Sequence, residues 1–108
     1  MSNEFTSKFK LNHQYQFDAC IRKGRRFKIY PFSCFILEND CQHNRLGLLI
    51  SKRWNKLAVQ RNLLKRWLRE NFRVLGSTAK VDIVIIPYKN TKIVYSQVEK
   101  LWNVLNLG

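Results

Sequence analysis

Two hydrophobic periods organise this chain, one near 3.6 residues and one of 2. A first helix is expected over about residues 12–23. Asn12 is read as its cap, and Gly24 as the left-handed residue that closes it. Phe17 and Ile21 stand four apart and share one face. Residues 25–28 are basic and are read as opening a strand, with Pro31 marking an edge or a break. Residues 32–38 alternate: Phe32, Cys34 and Ile36 on one side, Ser33, Phe35 and Leu37 on the other. A polar turn over 38–44 leads into a strand over 45–51, with Leu46, Leu48 and Ile50 together. The short connection predicts that these two strands pair as an antiparallel hairpin.

The longest helix is expected over about 55–75, closed by Gly76. The apolar run Val81-Asp82-Ile83-Val84-Ile85-Ile86 reads as a buried strand that Pro87 ends. A last helix over about 94–105 carries Val98, Leu101, Trp102 and Leu105 at helical spacing. The resulting order, α-β-β-α-β-α, predicts an α+β fold with helices packed on a mixed sheet. The chain has 108 residues, the size of one domain. Residues 1–108 are therefore read as a single unit, with 1–9 a flexible N-terminus.

Projected at about 100° per residue, the long helix places Leu57, Leu63, Leu64, Trp67, Leu68, Val74 and Leu75 in one arc of roughly 140°. Arg61, Lys65, Arg69 and Arg73 follow one another at intervals of four on the other side, with Asn62 and Arg66 beside them. Like charges at that spacing destabilise an isolated helix by roughly 0.2–0.5 kcal/mol per pair. Glu70 is the one carboxylate within the helix, and it projects away from the centre of the stripe. Lys52, Arg53 and Lys56 surround the N-terminal end, where carboxylates are normally favoured. Cations beside helix N–H groups make an anion site suited to phosphate. Asn62 both donates and accepts, as base or ribose contacts require. A solvated amphipathic helix accounts for none of these features.

Charge strengthens the reading. Lys and Arg number 20 against 7 acidic residues, a formal +13. A domain this cationic serves a polyanionic partner. Membrane is the weakest candidate, since no apolar run approaches the ~20 residues of a spanning helix. The N-terminus has no apolar signal region, so a cytoplasmic location is expected. A DNA-binding helix-turn-helix is disfavoured, because an apolar strand and not a short helix feeds the cationic helix. Phe17 and Phe35 are read either as core or as stacking surfaces for unpaired bases of single-stranded RNA.

Catalytic chemistry finds little support. The acidic residues Glu4, Asp18, Glu38, Asp40, Glu70, Asp82 and Glu99 scatter over different elements, so no two-metal nuclease site is expected. His13 and His43 stand alone, and Cys20, Cys34 and Cys41 form no CxxC spacing. The cysteines read as reduced, partly buried thiols, and no metal held by protein side chains is expected.

The residues 45–53, Arg-Leu-Gly-Leu-Leu-Ile-Ser-Lys-Arg, and 58–73, Ala-Val-Gln-Arg-Asn-Leu-Leu-Lys-Arg-Trp-Leu-Arg-Glu-Asn-Phe-Arg, resemble the signature of the bacterial ribonuclease P protein family. That family reads R-x-G-L-x-V-S-K-K, then A-V-x-R-N-R-x-K-R-x-x-R-E-x-F-R. Phe17, Ile21 and Gly24, the run 81–86, and Leu101-Trp102 fit its other elements, so the resemblance spans about residues 10–107. One departure is that the family's second motif arginine is Leu63 here. Arg53 replaces a usual lysine and keeps the charge.

The resemblance implies a ribonuclease P protein-like two-layer sandwich (the ribosomal protein S5 domain 2-like fold) with a left-handed β-α-β crossover. It implies a partner of a catalytic RNA, which with magnesium removes the 5′ leader of precursor tRNA. The RNA face would use Lys52, Arg53, Lys56, Arg61, Asn62, Lys65, Arg66, Arg69 and Arg73. A leader cleft between the first helix and the sheet would use Phe17, Ile21, Phe35 and Ser51. Magnesium would be bound mainly by the RNA, and no obligate protein partner is implied. The alternative class is a non-catalytic module that binds or assembles another structured RNA.

Overall fold

But for Asp82, the run over 81–86 is apolar on both of its faces, and only the middle of a sheet buries both. A computed structural model of the chain describes residues 9–41, 43–73 (the side chain of residue 73 excepted) and 80–105. Its elements are α1 (Gln14–Lys23), β1 (Arg25–Ile29), β2 (Phe32–Glu38), β3 (Arg45–Leu48), α2 (Ala58–Arg73), β4 (Val81–Pro87) and α3 (Tyr95–Val104). The sheet order is β1-β2-β4-β3, so β4 does lie inside. The class is the expected mixed α+β. The strand read as opening over 25–28 is an element of its own, β1, which adds a fourth strand to the expected order and pairs along its whole length with β2.

The expected hairpin between β2 and β3 does not form. β4 inserts between them, antiparallel to β2 and parallel to β3. The polar segment before β3 carries the chain across the end of β4. Asn39 N–H donates to the Lys80 carbonyl at 3.0 Å, and Val81 N–H donates to Asn44 Oδ1 at 3.0 Å. The strand expected over 45–51 is correspondingly short and ends at Leu48. On its outer side the edge is partly covered, with Leu11 N–H donating to the Leu46 carbonyl at 3.1 Å. The α2 crossover joins the two parallel neighbours β3 and β4.

Alternation sorts the sheet's side chains as expected. Phe32, Cys34, Ile83 and Ile85 are buried with Leu64, Leu68 and Phe72 of α2 and Val98, Leu101 and Trp102 of α3. Phe35 and Val84 face the other way and are buried with Leu11 and Cys20. The helices thus divide between the faces, α2 and α3 on one and α1 on the other.

Helix ends differ from expectation in three places. α1 starts at Gln14 with His13 at its N-cap, and the side-chain oxygen of Gln16 accepts from the N–H groups of Asn12 and His13 at 2.8 and 3.0 Å. Gly24 is extended (φ −76°, ψ 166°) and not left-handed. Glycine is needed there for another reason: a Cβ would collide with the Cys20 carbonyl and sit 2.8 Å from that of Ile36. α2 starts at Ala58 and not Asn55, because Asn55 Oδ1 accepts from Leu57 N–H at 2.9 Å and holds a turn. Leu57 therefore precedes the helix and is 61% exposed, outside the core arc assigned to it. The expected Gly76 stop, with Val74 and Leu75, lies outside the described residues.

Candidate nucleic-acid interface

Apolar burial fixes the roll of α2. With Leu64, Leu68 and Phe72 sunk into the core, Arg61, Lys65 and Arg69 are left half-buried, and Asn62 and Arg66 exposed. Leu63 is half-buried beside Asn62, so no cation stands where the family motif has its second arginine. The side chain of Arg73 lies outside the described residues. Phe72 was missed from the core arc, although its four-residue spacing from Leu68 is legible in the sequence.

The turn before α2 is built around Trp54. Its ring is buried, and its Nε1 donates to the Thr91 carbonyl at 2.8 Å. Ser51 stabilises the same turn: its carbonyl accepts from Trp54 N–H at 3.1 Å, and its hydroxyl from Arg53 N–H at 3.2 Å. Lys52, Arg53 and Lys56 project from this turn into solvent. Arg61 ties the turn to the helix, its guanidinium donating to the carbonyls of Asn55 and Lys56 at 3.0 and 2.9 Å. Arg61 is thus a structural clamp as well as a cation. The first turn of α2 carries no acid.

On the opposite face of the sheet, α1 lies across β2 and β4. Phe35 is only 9% exposed and forms the floor, with the Arg26 guanidinium 5.8 Å from its ring centre. Phe17 and Ile21 are half-buried and form the wall above it. Phe17 overhangs Gly47, where a Cβ would sit 2.5 Å from the phenyl ring. The structure brings these three expected cleft residues together but not Ser51, which lines a separate concavity.

The two sets of residues meet at the β3 edge. One concavity of about 140 Å³ is lined by Phe17 from one side of the sheet and by Lys65 and Arg69 from the other, with Lys10 and Gly47 between. A second, of about 490 Å³, is lined by Ser51, Arg53, Ile86 and Lys89. Leu48 lines both. The result is a track along the sheet edge with aromatic and aliphatic walls and basic rims, suited to an unpaired, polyanionic strand.

One pairing was invisible in the sequence. Arg45, the first residue of the signature, grips Asp82 with Nε and a terminal nitrogen at 2.8 and 2.9 Å, and Asn39 Nδ2 donates to the same carboxylate at 2.8 Å. Hydrogen bonding to Asp82 raises the Arg45 pKa further. Asp82 is buried, so this acid serves the fold. His13 stacks on Tyr15, and His43 meets Phe9 edge to face, so the two histidines have separate partners. Among the described residues no group of three or more His, Cys, Asp or Glu side chains is placed to hold a metal. Nor is any described helix long and apolar enough to cross a membrane.

Comparison with known proteins agrees with the signature. The family model described as Ribonuclease P matches residues 5–106. A Thermotoga petrophila protein named ribonuclease P protein component is 34% identical over 97% of this chain and 96% of its own length. The solved RNase P protein of Staphylococcus aureus superposes with a TM-score of 0.79 at 27% identity, covering 92% of this chain and 96% of that one. For the RNase P protein of Thermotoga maritima the TM-score is 0.75 at 29% identity, covering 90% and 94%.

Proposed function

The chain belongs to the ribonuclease P protein family, and on that premise we propose that it works with the catalytic RNA of ribonuclease P to remove the 5′ leader of precursor tRNA. The observation that carries the proposal is the concavity at the β3 edge, where Phe17 meets Lys65 and Arg69. An RNA bound along α2 and a single strand lying against α1 would there be held by one continuous surface. Lys52, Arg53, Lys56, Arg61, Asn62, Lys65, Arg66, Arg69 and Arg73 hold the catalytic RNA. Phe17 and Ile21, over the Phe35 floor, hold leader bases by stacking and apolar contact, and Ser51 and Arg53 meet the strand further along.

Cleavage belongs to the RNA, with magnesium bound mainly by RNA phosphates. The protein contributes positioning and charge neutralisation. In support, Asp82 is committed to Arg45 and Asn39, and Asp18 accepts a hydrogen bond from Gln14 at 3.0 Å. The complex acts in the cytoplasm, where tRNA precursors are made, and needs no further protein.

The test is cleavage of a precursor tRNA by a folded bacterial ribonuclease P RNA at low magnesium, with and without this protein. The expected result is cleavage at the mature 5′ end only when both are present. Cleavage by the protein alone would make it a nuclease in its own right. Absence of stimulation would leave a module for another structured RNA.

A further inference from the structure

Tyr30 and Tyr88 stand together where the β1–β2 turn meets the end of β4. Tyr30 is 65% exposed. Its ring meets that of Tyr88 edge to face, with centroids 5.3 Å apart and planes at 82°. Backbone contacts fix the pair: Tyr88 N–H donates to the Pro31 carbonyl at 2.8 Å, and the Tyr88 carbonyl accepts from the Thr91 hydroxyl at 2.7 Å. Neither ring belongs to the core clusters on the two faces of the sheet. An edge-to-face pair uses one face of one ring, so aromatic surface remains open.

Charge says what would cover it. Lys28 and Lys89 flank the pair in sequence and are exposed. Lys89 also lines the larger concavity at the β3 edge together with Ser51 and Ile86. Lys89, next to Tyr88 in the chain, thus links the pair to the wall of that concavity. A base inside a duplex keeps its faces stacked, whereas an unpaired base offers its π-face.

We propose that Tyr30 and Tyr88 form a stacking platform for one unpaired base of single-stranded RNA, with Lys28 and Lys89 against the adjoining phosphates. The platform extends the cleft beyond the signature residues, and it rests on the reading that this chain holds a single-stranded leader. It accepts any base, because stacking needs only a π-face.

The experiment walks an abasic nucleotide along the leader of a precursor tRNA. Binding is measured with the RNA–protein complex carrying wild-type protein, Tyr30→Phe, Tyr30→Ala or Tyr88→Ala. With wild type and Tyr30→Phe, one leader position beyond those sensitive to Phe17→Ala should lose ~5- to 20-fold in affinity when abasic, the lower part of the range for one base–aromatic stack. Tyr30→Ala and Tyr88→Ala should bind the intact leader that much more weakly and be indifferent to the abasic site there. Identical abasic profiles for wild type and both alanine variants would overturn the platform, while wild-type preference for precursor over mature tRNA would still uphold the leader reading. No such preference in wild type would overturn both.

Discussion

Under α2 and α3 the sheet is sealed: Phe32, Cys34, Ile83 and Ile85 are fully buried, and so are Leu68, Val98 and Leu101 above them. Under α1 the cover is thin. Leu11, Cys20, Phe35 and Val84 are buried, but Phe17, Ile21, Leu37 and Ile86 around them are only partly so. The same strands supply both faces, so the difference lies in how much helix each receives. Two helices close one face into a core, while a single ten-residue helix leaves apolar side chains half in solvent on the other. Half-exposed aromatic and aliphatic groups beside cations lose stability and gain a binding surface. Substitutions on the sealed face should therefore act on folding, and those on the thin face on RNA.

The largest effect expected is on the sealed face. Leu68→Ala removes a fully buried side chain and should cost ~3 kcal/mol of unfolding free energy, within the 2–5 usual for such truncations. Ile21→Ala, half-exposed on the thin face, should cost under about 1.5 kcal/mol, since less apolar area leaves water. Urea unfolding of the two variants checks this, and equal losses would break the comparison.

Next comes the seam between the faces. In Gly47→Ala the new methyl would sit 2.5 Å from the Phe17 ring and 2.9 Å from Leu11 Cδ1. Overpacking of this kind typically costs ~1–3 kcal/mol, and the flexible ring places this case at the low end. Phe17→Ala should bind precursor several-fold more weakly while leaving mature tRNA unaffected. Combined with Gly47→Ala it should relieve part of that variant's instability, because the clash partner is gone. A double-mutant cycle measures the relief. Strict additivity would mean that the ring and the glycine do not touch in solution.

How much of this was legible in advance follows from the range of each interaction. The roll of α2 was legible, because Leu64 and Leu68 oppose Arg61, Lys65 and Arg69 within one short segment. The alternation of β2 told which side chains share a face, and it held. It did not tell which strand lies next door. Neighbour choice is a non-local property, and the insertion of β4 between β2 and β3 depended on Asn39 and Asn44 meeting residues 80 and 81. The Arg45–Asp82 pair spans 37 residues and left no local signal. Gly24 was read as a left-handed cap, whereas the structure requires glycine there because the carbonyls of Cys20 in α1 and Ile36 in β2 leave no room for a Cβ. The cationic site residues were legible as charge; the clamp that Arg61 makes on the turn before α2 was not.

That clamp separates two cations that look alike in sequence. Each phosphate contact contributes about 0.7–0.9 to the slope of log K against log salt. Lys65→Ala should make the slope about one shallower and leave the melting temperature unchanged. Arg61→Ala should change the slope similarly and also lower the melting temperature, because the Asn55 and Lys56 carbonyls lose their donor. A net hydrogen bond contributes roughly 0.5–1.5 kcal/mol, so a fall of several degrees is expected. An unchanged slope in either variant would remove that residue from the phosphate contacts.

The finest comparison needs no substitution, because each face carries its own thiol. Cys34 lies on the sealed face, where burial pushes its pKa up to about 12. Cys20 is the buried residue of α1, where burial, and then the Asp82 charge, raise its pKa to about 11. Both folded values exceed the ordinary 9. Below about pH 9 both states keep the proton and the thiols leave stability unchanged. Above it the unfolded chain releases protons first, so stability should fall with rising pH until the thiols' contribution is lost near pH 11 for Cys20 and pH 12 for Cys34. At pH 8 the thiols should instead report opening. Cys41 is only partly buried and should react first with a thiol reagent. Cys20 should follow at the rate at which α1 lifts, and Cys34 last, at the rate of global unfolding. Mass-resolved labelling gives the three rates. If Cys20 and Cys34 react together, α1 does not open separately, and the thin face is as firmly closed as the other.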